Sequence, residues 1–190
     1  MLLLVGLGNP GSNYTNTRHN IGFKIIDAIN AHFKLSKQKP KFKGLLTTGN
    51  IDEKKIYAIK PLTFMNNSGT AIKELIDYFK IDAKDVFVFH DDLDIDFGKI
   101  KAKFGGSSAG HNGIESIDKF IGKDYSRVRI GIGHPKEKKK VNNHVLEDFK
   151  DDEEEKINEI TENIVKQLPT LIGKKIDLFS SKVNQDLNGI

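Results

Sequence analysis

The chain has 190 residues, no cysteine and a mildly basic composition, with 30 Lys and Arg against 26 Asp and Glu and a net charge of +4. The lack of cysteine excludes disulfides and thiolate metal sites and fits a reducing compartment. No apolar run approaches the roughly 20 residues that cross a bilayer, and the N-terminal apolar run lacks the basic flank of a signal peptide. We therefore expect one cytoplasmic domain over residues 1–190, without a membrane partner, whose charge permits an anionic partner.

The first half of the chain alternates short apolar strands with amphipathic helices. Its predicted strands are residues 1–6, 44–51 and 54–59, and its predicted helices are residues 21–33 and 70–79. The helix over residues 21–33 repeats its apolar side chains at nearly 3.6 residues, which is typical of a helix packed on a sheet. Ser68 is the expected cap of the next helix. Residues 36–43 are predicted to be a basic connection.

The second half continues the alternation and ends in helices. Its predicted strands are residues 85–89, 98–104 and 126–132, and its predicted helices are residues 114–120, 141–149 and 152–168, with a further one after Pro169. Strands that alternate with helices predict an α/β sandwich around a largely parallel sheet. The strand pair in the first half makes that sheet mixed. The predicted fold is therefore a twisted mixed sheet flanked by helices.

Four polar loops follow predicted strands. They are residues 8–20, 63–68, 90–94 and 105–112. Ligands of open α/β sheets bind beyond the carboxyl ends of the strands, so we expect these loops to converge on one site. Amides, glycines and histidines are crowded into them beyond what folding needs, which indicates a functional site.

Several kinds of chemistry are disfavoured by the sequence of these loops. Residues 6–11 superficially match the glycine fingerprint of a dinucleotide site, but Pro10 occupies the turn and the acidic residue that should follow a second strand is missing. The serines of the loops lack a nucleophile-elbow sequence. His111 and residues 90–92 match no metal-ligand spacing, so no metal is expected.

The kind of chemistry that remains is catalysis by a general base without a covalent intermediate. His19 lies in the first polar loop rather than on an apolar face. An imidazole with a pKa near ~6.5 can accept a proton at neutral pH. Asp91, at the end of a buried strand, is suitably placed to fix the tautomer of that ring. The alternative for His19 is a helix-entry residue that bonds the backbone.

Arginine is rare in this chain, where Lys is the usual cation. The three arginines are Arg18, Arg127 and Arg129. A planar guanidinium with several donors suits a phosphate or a carboxylate, so these positions are candidates for binding one.

Three of the loops each contribute an asparagine. They are Asn9, Asn66 and Asn112. A neutral amide can hold a peptide carbonyl or polarise an ester carbonyl without competing with a base for a proton. One such residue alone is more often a turn residue, but three in separate loops favour a functional role.

Five sequence blocks carry a family resemblance. In chain order they read GLGNPGSNYTNTRHNIGF, PLTFMNNSG, HDDLD, GHNG and RVRIGIGHP. Together they resemble bacterial-type peptidyl-tRNA hydrolases over nearly the whole chain. That family cleaves the ester between a peptide and the 3′-terminal ribose of a tRNA. The resemblance implies a monomeric enzyme that uses no metal or other cofactor and binds peptidyl-tRNA at its acceptor end and phosphates.

The resemblance also implies roles for individual residues. It implies that His19 activates water with support from Asp91, and that Asn9 reads the peptide and distinguishes blocked from free aminoacyl ends. Asn66 and Asn112 would hold the substrate near the ester. The other implied contacts with substrate or tRNA are Tyr14, Phe64 and Met65 lining the cleft, His111 beside it, and Lys103 and Arg129 at positions that meet tRNA phosphate.

The sequence departs from the family pattern in the fourth loop. That loop reads GGSSAGHNG, where many relatives have more glycine and an extra histidine before HNG, and Glu115 stands where a basic residue is usual. The main rival is a non-catalytic RNA-binding relative like some organellar splicing factors, and a second is a small-molecule enzyme of similar topology. A base together with its orienting carboxylate favours the hydrolase. Residues 141–149 are expected to cover the cleft as a lid.

Overall fold

The protein is built on a seven-stranded sheet, found in a computed structural model that describes residues 1–135, 137 and 140–187. The strands are β1 (Leu2–Gly6), β2 (Lys39–Lys41), β3 (Gly44–Ile51), β4 (Lys54–Pro61), β5 (Val86–Asp92), β6 (Ile100–Phe104) and β7 (Ser126–Gly131). Their spatial order is β2-β3-β4-β1-β5-β7-β6. The central strands β4, β1, β5 and β7 are parallel, and the outer three pair antiparallel. The predicted mixed sheet with a parallel centre is confirmed.

Helices cover both faces of the sheet. They are α1 (Ile21–His32), α2 (Ser68–Phe79), α3 (Asn112–Ile121), α4 (Val141–Leu146), α5 (Asp151–Ile172) and α6 (Ile176–Asp186). Because strand side chains alternate between faces, Leu2 and Leu4 join one core with α1, α5 and α6, while Leu3 and Val5 join another with α2 and α3. The result is a three-layer α/β/α sandwich. No described helix combines the length and the apolar character that crossing a membrane requires.

Two glycines hold the first polar loop at the edge where the parallel strands end. A Cβ atom on Gly6 would collide with the carbonyl of Gly22, and one on Gly22 would collide with the carbonyl of Phe89. Glycine at both positions therefore lets α1 approach β1 and β5 closely. The Leu7 N–H also donates to the Phe89 carbonyl at 3.0 Å. These contacts fix both ends of the loop over residues 7–20.

Several local predictions are wrong. Ser68 lies inside α2 rather than capping it, and its hydroxyl donates to the Met65 carbonyl at 2.9 Å. The predicted connection over residues 36–43 contains the edge strand β2, where Pro40 is tolerated because an edge strand has unpaired backbone groups. Helix α5 continues past Pro169 to Ile172, since the residues around the proline are buried in the core.

Strand β5 is longer than predicted, and the fourth loop begins at the other edge of the sheet. The segment predicted as a loop over residues 90–94 starts inside β5, which ends at Asp92. Because β6 is antiparallel to β7, the loop over residues 105–111 leaves the sheet beside the start of β7. It then returns to the carboxyl edge at His111, where α3 begins. The fourth loop therefore meets the other three only because it returns to the carboxyl edge, since the direction of β6 alone would leave it at the opposite edge.

Candidate active site

Asp91 is the buried centre of the site at the end of β5. Its carboxylate accepts hydrogen bonds from His19 Nδ1, at 2.8 and 2.9 Å, and from His111 Nε2, at 3.0 Å. The residue is 1% exposed. Burial alone would raise the pKa of Asp91, but the charges and hydrogen bonds of the two histidines hold that pKa well below its usual value. The carboxylate is therefore ionised at neutral pH.

His111 has a tautomer fixed by the helix that it caps. Its Nδ1 accepts the backbone N–H groups of Gly113 at 3.2 Å and Ile114 at 3.3 Å, as an N-cap side chain does. An accepting Nδ1 carries no proton, so the network assigns the proton of the neutral ring to Nε2. The Nε2–H then donates to Asp91. One imidazole thus starts α3 and orients the carboxylate.

His19 is the other ring that donates to Asp91. It lies in a short turn, Arg18–Asn20, just before α1, and it is 8% exposed. Burial lowers the pKa of His19, whereas the charge and the hydrogen bond of Asp91 raise it, and the net shift is upward from 6.5. With Nδ1–H bound to Asp91, the Nε2 of the neutral ring carries a lone pair. Among the described residues no hydrogen bond is made to this atom, and His19 lines a cleft of about 110 Å³.

Asn9 is held in one orientation by its neighbours. Its Oδ1 accepts the Met65 N–H at 2.8 Å, and its own backbone N–H and carbonyl bond the Asn20 side chain at 2.9 Å each. The acceptor of the Asn9 amide is therefore occupied, so its Nδ2 remains the donor. This arrangement suits a ligand carbonyl. Met65 itself is 3% exposed and packs in the core under Gly113, so its backbone takes part in the site while its side chain does not line the cleft.

Phe64 projects from the second loop on a strained backbone. Its φ of 57° and ψ of 159° fall in a region that only glycine adopts readily, and the ring is 55% exposed. The ring meets Tyr14 edge-on at 6.4 Å between centroids. An exposed ring that is held at a conformational cost beside a half-buried tyrosine is typical of a ligand-binding surface.

The remaining predicted asparagines lie beside this core on an open groove. Asn66 and Asn112 are both exposed and line a groove between the start of α2 and the start of α3, and Glu115 lines it as well. The groove adjoins the His19 cleft because Asn112 lines both. The structure therefore brings the loops of Asn9, Asn66 and Asn112 to one edge of the sheet.

The predicted cationic residues lie on the β7 and β6 side of the site. Arg129 uses Nε to donate to Asp92 at 2.7 Å, and its side chain is 20% exposed. Within the described part of the chain, its two Nη atoms make no hydrogen bond. Lys103 extends its amine over Gly106, where any Cβ would collide with it. Arg129 is thus held in place by Asp92, whereas Lys103 lies beside the glycine-rich loop that follows β6.

The other two arginines bind carboxylates of the protein itself. Arg18 is 3% exposed and pairs with Glu153 at 2.8 Å. Arg127 is 1% exposed and pairs with Asp118 at 2.7 Å. The rarity of arginine predicted that these residues bind a phosphate or a carboxylate. At both positions the partner is a carboxylate, and it belongs to the protein itself.

Two residues of the site were not singled out from the sequence. Asn20 ties both backbone polar groups of Asn9, and its place in an amide-rich loop was the only signal. His90 stands edge-on to His111 at 4.8 Å, with Nδ1–H donated to the Asp91 carbonyl at 2.7 Å. Burial, followed by the His111 charge, lowers the pKa of His90 well below 6.5, so the ring is neutral. The neutral ring of His90 therefore packs against the ring of His111.

A metal ion fits this cluster poorly. The ligand atoms of His19, Asp91 and His111 lie within 4.8 Å of one another, a grouping that resembles a metal site. However, His111 Nδ1 already accepts two backbone N–H groups, so Nε2 must carry the proton. A protonated ring nitrogen cannot ligate a cation. The same atoms instead complete a hydrogen-bond network around Asp91.

The fold and the site together define an α/β protein of the hydrolase type. A buried carboxylate orients a histidine at the carboxyl edge of the parallel strands, and fixed amide donors stand beside it. The family model described as peptidyl-tRNA hydrolase matches residues 3–189 of this chain. The chain belongs to the peptidyl-tRNA hydrolase family, and it is an enzyme of that class of ester hydrolases.

Individual relatives agree with this assignment. The chain is 72% identical to a peptidyl-tRNA hydrolase of Pelagibacter ubique over 184 residues, which cover 97% of this chain and 99% of the relative. It is 46% identical to a peptidyl-tRNA hydrolase of Ehrlichia ruminantium over 181 residues, or 95% and 93% of the two chains. The crystal structure of the Acinetobacter baumannii peptidyl-tRNA hydrolase superposes with a TM-score of 0.91 at 34% identity, covering 97% of this chain and 94% of that one. The predicted family resemblance is confirmed.

Proposed function

We propose that this protein hydrolyses the ester bond between a peptide, or an N-blocked aminoacyl group, and the 3′-terminal ribose of a tRNA. Free tRNA would return to translation. The relatives that cover nearly the whole chain are named for this substrate, which supports the substrate class. The observation that carries the reaction type is the His19–Asp91 pair, at 2.8 Å, with its second ring nitrogen open to a cleft.

The mechanism follows from the hydrogen bonds of that pair. Asp91 accepts Nδ1–H and keeps the Nε2 lone pair of His19 directed at a water molecule. Nε2 removes a proton from the water as its oxygen attacks the ester carbonyl, and Asp91 stabilises the imidazolium that forms. The raised pKa of His19 makes the ring a stronger base while most of it stays neutral above that pKa. Collapse of the tetrahedral intermediate breaks the bond to the ribose oxygen, which takes the proton from the His19 imidazolium and leaves as a hydroxyl, so the neutral base is restored.

The amide groups account for recognition of the acyl side. Asn9 Nδ2 is left as a donor because Oδ1 is occupied by the Met65 N–H. A donor in that position can bind the carbonyl of a blocked amino group or of the peptide. Asn66 and Asn112, on the adjoining groove, would hold the substrate near the ester. Amide donors, or water fixed by them, would stabilise the oxyanion.

The tRNA would bind on the side of Lys103 and Arg129. Phosphate contacts by these cations would position the acceptor end, with Tyr14 and Phe64 beside the terminal nucleoside. We further propose that the enzyme acts as a monomer in the cytoplasm and that the reaction needs no cofactor, because His19, Asp91 and water supply every proton transfer. A non-catalytic RNA-binding role would not need a base oriented by a buried carboxylate.

Single-turnover deacylation of an N-acetyl-aminoacyl-tRNA tests the assignment. His19→Ala removes the general base and should lower the rate about 10²- to 10⁴-fold. His32→Ala is the matched control, because His32 is an exposed histidine at the end of α1. It should keep the wild-type rate. Near-normal turnover by His19→Ala would contradict the proposed base, and a wild-type protein that releases no tRNA would contradict the proposed function.

A further inference from the structure

A concentration of positive charge lies at the edge of the sheet that β2 forms. Residues 34–43 contain five lysines and no acidic residue, so this segment alone carries +5, whereas the whole chain carries +4. All five lysines are exposed, and together they are named the β2 patch: Lys34, Lys37, Lys39, Lys41 and Lys43. The proposed ester hydrolysis makes no use of them.

Most of the charge of the β2 patch is not neutralised by the protein. Lys43 pairs with Glu74 at 3.4 Å, and the other four lysines form no ion pair with any residue that the structure describes. The neighbouring carboxylates are occupied elsewhere, since Asp27 accepts a lysine of β4 and Asp77 accepts one within α2, each at 2.6 Å. An anionic ligand would therefore meet cations that are available to it.

Aromatic rings hold one cation of the patch in place. The Lys41 ammonium lies over the rings of three residues, at 4.9, 4.8 and 5.8 Å from the centroids of Phe42, Tyr78 and Phe79. Phe42 is 8% exposed and belongs to the core that contains α2, whereas Tyr78 is 63% exposed. Cation–π contacts give the Lys41 charge a defined position. The exposed Tyr78 ring beside it offers a surface on which a nucleotide base can stack.

Protection of the sheet edge accounts for only part of the patch. Lysine and proline on an edge strand hinder pairing with another chain, and Lys39, Pro40 and Lys41 of β2 suit that task. Lys34 and Lys37 precede the strand, so they have no strand edge to protect. A ligand that needs several separate positive charges explains all five lysines together.

The chemistry of the patch favours a nucleic acid backbone over other anionic partners. A membrane surface requires apolar side chains that enter the lipid, but in this segment Phe42 is buried and Leu35 is half-buried. Addition of a peptide strand requires backbone donors, and Pro40 has none. Five lysines spread over ten residues match a row of phosphates, each of which carries one charge.

The patch lies too far from Lys103 and Arg129 to bind the same phosphates. Strands β2 and β6 are the two edges of the sheet, and six strand spacings between them amount to about 29 Å. Helices α2 and α3 cover strands that lie in between. A stretch of RNA backbone that contacts Lys103 would have to cross both helices before it reached the patch. The β2 patch therefore suits a separate RNA.

We propose that the β2 patch binds the phosphate backbone of a second RNA molecule, distinct from the peptidyl-tRNA whose ester is cleaved. Binding would be electrostatic and independent of base sequence, with Tyr78 available for stacking. The cleft of His19 would stay open to substrate while the second RNA is held. The proposal needs only the charge and exposure of the patch, so it stands apart from the proposed hydrolysis.

The test uses a blunt RNA hairpin that has no acyl group and no single-stranded 3′ end. Its stem has about 16 base pairs, the length that one double-stranded RNA-binding domain spans. The double variant Lys37→Gln, Lys39→Gln removes two charges from the patch. The double variant Lys175→Gln, Lys182→Gln is the charge-matched control, because these lysines are exposed at the start and in the middle of α6. Glutamine at exposed positions leaves the fold intact.

The affinity for the hairpin should fall steeply with salt in the wild type and in the control. Loss of two phosphate contacts lowers the slope of log K against log salt concentration by about 1.8. Between about 50 and 200 mM salt, the patch variant should therefore lose about tenfold less affinity than the wild type. Equal slopes in the patch variant and the wild type would overturn the proposal.

Two further measurements separate the proposal from its rivals. The kcat/KM for N-acetyl-aminoacyl-tRNA should be the same in the patch variant and the wild type, and a loss as large as the loss of hairpin affinity would show that the patch holds the substrate itself. Binding to phosphatidylserine vesicles that depends on the patch lysines, with hairpin affinity unchanged, would overturn the proposal in favour of a membrane surface. Hairpin binding is measured without deacylation, so failure of the proposed hydrolysis would be distinguishable.

Discussion

At the scale of single residues, the site depends on how many donors one carboxylate accepts. Asp91 binds both His19 and His111, and it is almost fully buried. A buried carboxylate must be paired to stay ionised, so each histidine stabilises the charge that the other one needs. The proposed base and its orienting group are therefore energetically coupled, and the pH dependence of the reaction should report that coupling.

Replacement of Asp91 by Asn should move the acid limb of the pH profile. In the wild type, kcat/KM should fall as pH drops through a value above 6.5, because the pKa of His19 is raised and the protonated ring cannot act as a base. Asp91→Asn removes the charge that raises this pKa but leaves the burial that lowers it. The limb should therefore move to lower pH, and the plateau should fall about 10²-fold or more.

Profiles of kcat/KM against pH for both proteins measure these effects. Asp77→Asn, on the exposed surface of α2, is the matched control and should change neither the limb nor the plateau. If the acid limb of Asp91→Asn coincides with that of the wild type, a group other than His19 controls it.

The sequence predicts the proposed base and its carboxylate but not the full network. Asp91 follows a buried apolar strand and His19 stands in a loop that must end near it, so strand order alone predicts their proximity. The position of His111, the second donor to Asp91, does not follow from strand order. His111 reaches Asp91 only because its loop returns from the far edge of the sheet, and a glycine-rich sequence does not encode that path.

At the scale of elements, the start of α3 is part of the site. His111 accepts two N–H groups of the first turn and donates to Asp91 from its other nitrogen. The orientation of the helix and that of the carboxylate are thus set by one ring. In the proposed mechanism His111 acts through Asp91 and His19, which makes it a positioning residue, and its two tasks can be separated by substitution.

His111→Asn and His111→Ala should differ in stability but agree in activity. Asparagine retains an N-cap oxygen, whereas alanine does not, so His111→Ala should unfold with a free energy about 1 kcal/mol lower. Both variants lose the donor to Asp91 and should lose kcat to a similar extent. Urea denaturation and single-turnover rates measure the two effects. Equal stability of the two variants would contradict the capping role.

Long-range pairing explains why the partner of Arg18 could not be predicted. Arg18 was a candidate for binding a phosphate or a carboxylate because arginine is rare, and its partner is a carboxylate of the protein itself, that of Glu153 in the first turn of α5. The same guanidinium donates to the carbonyls of His144 and Glu147 near α4. These contacts tie the first polar loop to residues more than 120 positions away, and local sequence patterns carry no record of them.

At the scale of the whole molecule, the two sides of the sheet differ in charge. The β7 and β6 side carries Lys103 and Arg129, whereas on the β4 and β3 side Lys24 and Lys60 are paired with carboxylates. The net charge of +4 is too small to attract RNA without local concentration of cations. Binding of tRNA should therefore depend on a few phosphate contacts at one end, and that dependence can be measured through salt.

Lys103→Ala and Arg129→Ala should each make tRNA binding less sensitive to salt. Loss of one phosphate contact lowers the slope of log K against log salt concentration by about 0.9, while kcat at saturating substrate should stay near the wild-type value. Lys84→Ala is the matched control, because Lys84 lies in the turn just before β5 and is already paired with Asp82. Titrations of tRNA at several salt concentrations measure the slopes. A loss of kcat with an unchanged slope would show that these cations act on the reacting centre and not on phosphate.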